Sequence, residues 1–284
     1  MISRPRRLGD NRVPNIAIIV PARLASTRFP AKPLASIRGA DGIVRPAIAY
    51  TWAAAKAAAA ALQGTIECAV ATDDARIADV CRSMGMAVVM TPATCLNGTE
   101  RCAAALNSLA SHPDIVVNLQ GDAPLTPASM VAAVVDHLVA NPDRAMATAV
   151  VPATPAVLAH LHTDAAAGRV GGTTAVCTQA GRALYFSKSI IPHVSPGTAP
   201  AEPVLLHVGV YAYRPAALSA YVAAGPAPLE LQEGLEQLRF LEAGLQVGIA
   251  RCDAPAWTMI ELNNPTDVPL IEAELLRRAQ AEHP

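Results

Sequence analysis

Five apolar residues, Ile16 to Val20, run without a break, and directly behind them the chain carries Arg23, Arg28 and Lys32 among small residues and three prolines, Pro21, Pro30 and Pro33. A short uninterrupted apolar run bounded by breakers predicts a strand buried on both faces. Proline removes a backbone donor and holds the residue before it extended, so the stretch that follows is a loop and cannot be helical. In open α/β sheets, ligands bind beyond the carboxyl ends of buried strands. Three cations gathered there suit a polyanion: arginine grips phosphate oxygens in pairs, lysine acts as a point charge, and small neighbours let backbone N–H groups approach. The competing reading is a solvated loop with chance positive charge.

The rest of the first half repeats one rhythm. The spacing predicts a helix over 43–62, a strand over 65–71, a helix over 75–84 capped from Thr72-Asp73-Asp74, a short strand over 87–90 and a helix from 99 to about 110, capped by Thr99. A second strongly apolar strand, 115–119, runs at once into Gln120-Gly121-Asp122-Ala123-Pro124, and a helix over 127–140 follows. Strand, crossover helix and strand in this order predict a parallel, doubly wound sheet. From Met146 the pattern changes to strands at 147–151, 173–177, 183–186 and 205–213 separated by loops, which predicts added antiparallel strands or a subdomain. Segments 160–172 and 195–203 read as mobile. Helices over 231–243 and 265–281, with a strand at 246–250 between them, close the chain.

With 284 residues and 52% hydrophobic content there is ample material for a core. A formal net charge of −1 argues against a general nucleic-acid or membrane-surface binder, so any phosphate site is local. No apolar run reaches spanning length, and no membrane association is expected. Residues 1–14, with Arg4, Arg6, Arg7 and Arg12, lack the apolar centre of a secretion signal and read as a mobile extension. Six cysteines without a CxxC pair predict buried thiols and a cytoplasmic setting.

Asp122 is an acid placed past a buried strand at the sheet edge that carries the cations. Magnesium takes oxygen donors, commonly one or two carboxylates plus substrate phosphates, so Asp122 reads as a Mg²⁺ ligand; the alternative is a turn residue before Pro124. Gln120, on the same turn, can donate and accept toward an acceptor hydroxyl. The tight turns at 71–73 and 97–101 fall at neighbouring strand ends, where backbone groups read a pyrimidine edge. Arg101 has a second reading as a solvated helix charge.

These stretches together resemble the CMP-sugar synthetase family, and within it most the 3-deoxy-manno-octulosonate (Kdo) cytidylyltransferases. The resemblance lies in PARLASTRFPAKPL at 21–34, ATDDARIADV at 71–80, NGTERCAAAL at 97–106, VVNLQGDAPLTPASM at 116–130, GRALYFSKSIIPH at 181–193, HVGVYAYR at 207–214 and PLELQEGLEQLRFLEAG at 228–244. It implies a Rossmann-like, doubly wound mixed sheet of the nucleotide-diphospho-sugar transferase type with a smaller antiparallel dimerisation subdomain. It also implies a single nucleotidyltransferase domain over 15–284, nucleotide-binding in 15–145 and acceptor-binding and dimerising in 146–284, working as a homodimer. The implied partners are CTP and a small anionic acceptor. Arg23, Ser26 and Lys32 would hold the triphosphate with Ala22 and Gln120 beside it. Ala71, Thr72, Asp73, Gly98, Thr99 and Arg101 would read the base, and Asp122 the metal, with Arg23, Lys32 and Asp122 carrying catalysis. On the acceptor side stand Gln120, Lys188, His207, Tyr211, Glu230 and Gln237; His207 in its strand equally reads as a core histidine, and Tyr211 as packing.

The chain departs from the family pattern in four places. Ala123 stands for a glutamate, Lys188 for an arginine, Gly171-Gly172-Thr173-Thr174 for an Asn-x-Val-Lys segment, and Asn263 for the aspartate that is the second metal ligand. Either Asn263 takes that place through its carbonyl, or Glu261 reaches in, or one metal is handled differently. The implied reaction is attack of an acceptor oxygen on the α-phosphate of CTP with release of pyrophosphate, Kdo being the favoured acceptor. Because the departures fall mainly on the acceptor side, two alternatives stand: a phosphonoformate cytidylyltransferase of phosphinothricin-type biosynthesis, and a non-catalytic CTP-binding homologue. No GxGxxG follows either buried strand, which excludes a dinucleotide-binding dehydrogenase.

Overall fold

The computed structural model describes residues 13–25, 29–195 and 202–282. They divide into two compact units, one of residues 13–132 with 255–282 and one of residues 133–254.

The first unit runs β1 (Asn15–Ala22), β2 (Ser36–Arg38), β3 (Val44–Pro46), α1 (Ala47–Ala61), β4 (Thr65–Thr72), α2 (Ala75–Ser83), β5 (Val88–Met90), α3 (Gly98–Ala105) and β6 (Ile115–Leu119); α4 (Ala128–Ala140) crosses into the second unit. Four strands form a parallel sheet in the order β6-β1-β4-β5. Ile16 to Val20 are at most 1% exposed, as the unbroken apolar run requires. Burying each of these large aliphatic side chains contributes roughly 1.5–3 kcal/mol, which holds β1 at the sheet centre. Because the four strands are parallel, their carboxyl ends share one edge, and the segments after Ala22, Thr72, Met90 and Leu119 emerge there together. Ala22 is in register with Thr72, and Thr72 with Met90.

Two boundaries differ from the sequence reading. Residues 44–46 form a strand paired antiparallel with β2 instead of the first turn of a helix; Pro46, which has no N–H to give to a helix interior, marks the switch and precedes α1. Asn97, not Thr99, caps α3: its side chain accepts from Glu100 N–H at 2.9 Å, while Glu100 Oε2 accepts from Leu96 N–H at 2.8 Å. Thr99 is fully buried within the first turn.

The second unit contains β7 (Met146–Pro152), α5 (Pro155–Ala166), β8 (Thr174–Cys177), β9 (Ala183–Ser187), β10 (Leu205–Tyr213), α6 (Pro215–Ala224), α7 (Pro228–Glu233), α8 (Leu238–Glu242) and β11 (Val247–Arg251). β7 pairs antiparallel with β10 and parallel with β11, while β8 pairs antiparallel with both β10 and β9. Helix occupies 155–166, most of which reads as loop in the sequence: Thr154 caps it, Pro155 occupies its first turn, and Gly168 with φ +69° follows its end. The helix expected over 231–243 is two short ones, because Gly234 turns into the left-handed region at φ +62°.

The chain then returns to the first unit as α9 (Asp267–Glu282). Ile37, Ala47, Leu125, Leu262 and Ile271 form one buried cluster, and Arg38 N–H donates to Glu272 Oε1 at 2.6 Å. Leu262 thereby fixes the segment 261–264 against the rest of the unit. Among the described residues no helix is long and apolar enough to cross a membrane.

Candidate active site

The loop after β1 is closed by Ala31, whose N–H donates to Leu24 O at 3.1 Å and whose φ of 55° is a left-handed conformation unusual for a residue with a side chain. That turn launches Lys32 into a short 3-10 helix, Lys32–Leu34. Its ammonium meets the carboxylate of Asp122, ninety residues away in sequence. Arg23 follows Ala22 at the strand mouth and is exposed; Ser26 lies outside the described residues.

Asp122 is held by its backbone. Thr51 Oγ1 donates to Gly121 O at 3.1 Å, Leu262 N–H donates to Asp122 O at 2.7 Å, and Ala123 N–H closes the turn onto Gln120 O at 2.9 Å. Gly121 passes so close under the Pro21 carbonyl that a Cβ has no room. The Lys32 and Asp122 side chains are 17% and 23% exposed, and partly solvated pairs of this kind are worth about 1 kcal/mol or less. A ligand with better partners for both can therefore open the pair at small cost.

At the neighbouring strand ends Arg101 is buried, 3% exposed, which rules out the solvated-charge reading. It donates to Thr91 Oγ1 at 2.6 Å, and its other terminal nitrogen lies 3.4 Å from Asp73 Oδ2. Thr91 N–H in turn donates to Thr72 O at 2.9 Å. Asp73 Oδ1 is buried without a hydrogen-bond partner among the described residues. Gly98 faces Pro21 and Gln120: a Cβ there would sit 3.2 Å from Gln120 Oε1 and 3.4 Å from Pro21 Cγ. The first unit thus brings together Ala22, Lys32, Asp122 and Gln120 on one side and Thr72, Asp73, Gly98, Thr99 and Arg101 on the other. Ala71, buried in β4, supplies backbone to the same edge.

Lys188, His207, Tyr211, Glu230 and Gln237 belong to the second unit, and only Lys188 is exposed. Glu230 takes Arg239 on both oxygens, at 2.6 and 2.7 Å, with Tyr221 Oη at 3.1 Å and Ala227 N–H at 3.1 Å. Burial works to raise its pKa, but the Arg239 bonds and the Ala227 N–H prevail and hold it below the usual carboxylate range. Its carboxylate is committed to the core. Gln237 is 1% exposed, and its Nε2 has no partner among the described residues.

His207 lies between Phe186 and Tyr211, with ring centroids 5.3 and 5.5 Å away, and its Nε2 is 2.9 Å from Thr148 Oγ1. The Thr148 hydroxyl is directed at Val210 O, 2.9 Å away, so Nε2 carries the proton and donates. Desolvation lowers the pKa of His207 to about 4. Between the ordinary value near 6.5 and about 4 the unfolded chain binds a proton that the folded chain refuses, so stability falls as pH drops through that window, by at most about 3 kcal/mol. His207→Gln is expected to flatten this part of a melting-temperature profile between pH 7 and 4; an unchanged slope would remove His207 as its source.

The sequence profile of the cytidylyltransferase family matches residues 17–247. The chain belongs to the cytidylyltransferase family. A 3-deoxy-manno-octulosonate cytidylyltransferase from Maricaulis maris is 40% identical over 258 residues, covering 91% of this chain and 96% of that protein. The enzyme of the same name from Zea mays is 40% identical over 261 residues, covering 92% and 80%. A solved structure of CMP:2-keto-3-deoxy-manno-octonic acid synthetase complexed with CTP superposes with a TM-score of 0.77 at 29% identity, covering 94% of this chain and 99% of that one. The mixed α/β fold expected of this cytidylyltransferase is the one observed.

The donors around Asp122 suit a hard cation. Asn263 and Glu261 flank the buried Leu262, whose N–H is bonded to Asp122, and Asn263 Nδ2 lies 3.4 Å from Glu261 Oε2. Carboxylate and amide oxygens are ligands for magnesium and not for a soft metal. Among the described residues no three His, Cys, Asp or Glu side chains gather into a cage.

Sequence reasoning missed two residues of this cytidylyltransferase. Thr91 holds Arg101, and Glu233 accepts from Ser187 Oγ at 2.7 Å and from Lys188 N–H at 3.0 Å. Thr91 follows a three-residue strand too short for periodicity to mark, and Glu233 reads as one acid among several in a helical stretch.

Proposed function

We propose that this cytidylyltransferase transfers CMP from CTP to Kdo or a closely similar sugar acid. The acceptor hydroxyl oxygen bonds to the α-phosphorus and gives up its proton to water, the bond from that phosphorus to the bridging oxygen breaks, and pyrophosphate leaves with the electron pair. The observation that carries the reading is the meeting of Lys32 with Asp122 at the sheet edge where Arg101 is buried beside Asp73; the names of the relatives favour the acceptor. Arg23, Ser26 and Lys32 hold the triphosphate, Lys32 leaving Asp122 for phosphate oxygens. Gly98 and the Arg101–Asp73 pair shape a pyrimidine-sized slot with Ala71, Thr72 and Thr99. Catalysis comes from positioning and from neutralising charge on the leaving pyrophosphate. Asp122 and Asn263 would hold Mg²⁺, which supplies further positive charge at the phosphates. The exposed Lys188 offers a cation to the acceptor, while Gln237, His207, Tyr211 and Glu230 support it from within the unit. The six cysteines are all free thiols, which supports a reducing, cytoplasmic setting. The homodimer is carried over from the family resemblance, and light scattering at about twice 29.4 kDa tests it.

Purified protein with Mg²⁺ and each of CTP, UTP, ATP and GTP is to be assayed for pyrophosphate release with Kdo and with phosphonoformate. CTP with Kdo is the expected productive pair. Turnover with phosphonoformate alone would replace the acceptor, and CTP-dependent thermal stabilisation without turnover would make the chain a binding protein.

Asn263→Asp is expected to lower the Mg²⁺ concentration for half-maximal activity roughly tenfold, because a charged donor replaces a neutral one. An unchanged magnesium titration would place the second oxygen donor elsewhere.

A further inference from the structure

Glu233 ends α7, directly before Gly234 in its left-handed conformation. Its two carboxylate oxygens serve one turn. Oε1 accepts from Ser187 Oγ and Oε2 from Lys188 N–H. Ser187 Oγ passes the constraint on by accepting from Ser189 N–H at 3.0 Å. From the other side Thr174 Oγ1 donates to Ser189 O at 2.6 Å and accepts from Ile191 N–H at 3.1 Å. The turn after β9 is therefore clamped between Thr174 and Glu233, while the Lys188 side chain at its tip is exposed. The Lys188 ammonium lies over Gly234, 2.9 Å from where a Cβ would stand.

We propose that Glu233 is a positioning residue for the acceptor: it fixes the Ser187–Ser189 turn so that Lys188 is presented to the acceptor's carboxylate. This rests on the reading of the chain as a transferase to a sugar acid. A carboxylate is the group the place requires, because it accepts from several donors and donates to none. Glutamine keeps the shape but turns an N–H₂ toward one of those donors, which loosens the turn without emptying the space. A surface acid with no such role would have water, not two protein donors from one turn, around it.

The test is steady-state kinetics of E233Q, E233D, K188A and the K188A/E233Q double variant with CTP, Mg²⁺ and Kdo. E233Q is expected to raise KM for Kdo roughly ten- to hundredfold, the scale of a small misplacement of a binding group, with kcat and KM for CTP within about twofold. E233D, which keeps the charge, recovers part of the loss. In the K188A background E233Q adds nothing further, since the turn then has no cation to aim. An unchanged KM for Kdo, an equal rise in KM for CTP, or full additivity with K188A would overturn the inference and leave the transferase reading standing. Failure of the wild-type protein to use Kdo at all would overturn both. If E233Q does not fold, S187A removes one of the clamp's bonds and carries the same expectations.

Discussion

Asp122→Ala is expected to lower pyrophosphate release from CTP by about 10³-fold while the melting temperature moves by only a few degrees. The two halves of that expectation have separate causes. The Asp122 backbone, not its side chain, holds the turn, through Leu262 N–H and the bond from Thr51 to the adjacent Gly121 carbonyl. The lost ion pair with Lys32 is partly solvated and contributes about 1 kcal/mol or less. What the variant removes is the carboxylate that meets Lys32, proposed above as a magnesium ligand. Paired assays of turnover and thermal unfolding decide the matter. A variant that retains a tenth of wild-type turnover would take Asp122 out of the catalytic group, and one that unfolds would make it structural.

Glu230→Ala is expected to act in the opposite way, on stability first. The carboxylate and Arg239 are 7% and 1% exposed, and the guanidinium also stacks on Tyr221 with its carbon 3.9 Å from the ring centroid. Around them Tyr213, Phe240 and Tyr221 form a continuous aromatic stack, with centroid spacings of 5.6 and 4.7 Å. Removing one partner leaves a buried charge unpaired, which costs about 3–5 kcal/mol. At the scale of this chain that is a drop of roughly 6–20 °C in melting temperature. The Glu230→Ala/Arg239→Met double variant, which buries no lone charge, is expected to recover part of it. Equal stability of Glu230→Ala and the wild type in a thermal melt would show that the pair is not what organises this core.

How far these roles were legible in the sequence depends on the range over which each signal acts. Ile16 to Val20 announce a buried strand because burial on both faces demands an unbroken apolar run. The prolines and cations behind it announce a ligand loop for reasons equally local. That Lys32 would meet Asp122 follows once 16–20 and 115–119 are recognised as strands of one parallel sheet, since their carboxyl ends then share an edge. Arg101 was ambiguous because its burial depends on Thr91 and Asp73, whose positions come from two other strands. The second unit is less legible from sequence. The glycines at 168, 171 and 172 suggest a long mobile stretch and mask a helix that Thr154 and Pro155 start, and Gly234 sits inside a helical pattern that does not mark it as a break. Glu230 looked like an acid available to a ligand; only the fold brings Arg239 and Tyr221 onto both its oxygens.

Titration of the purified chain with CTP in the presence of Mg²⁺, compared with Arg23→Ala and Lys32→Ala, tests most directly whether the cationic loop and Asp122 form a triphosphate site. Saturable binding by the wild type, weakened at least tenfold in each variant, with ATP failing to compete, is the expected result. Binding of CTP by Lys32→Ala as tight as that of the wild type would contradict the account.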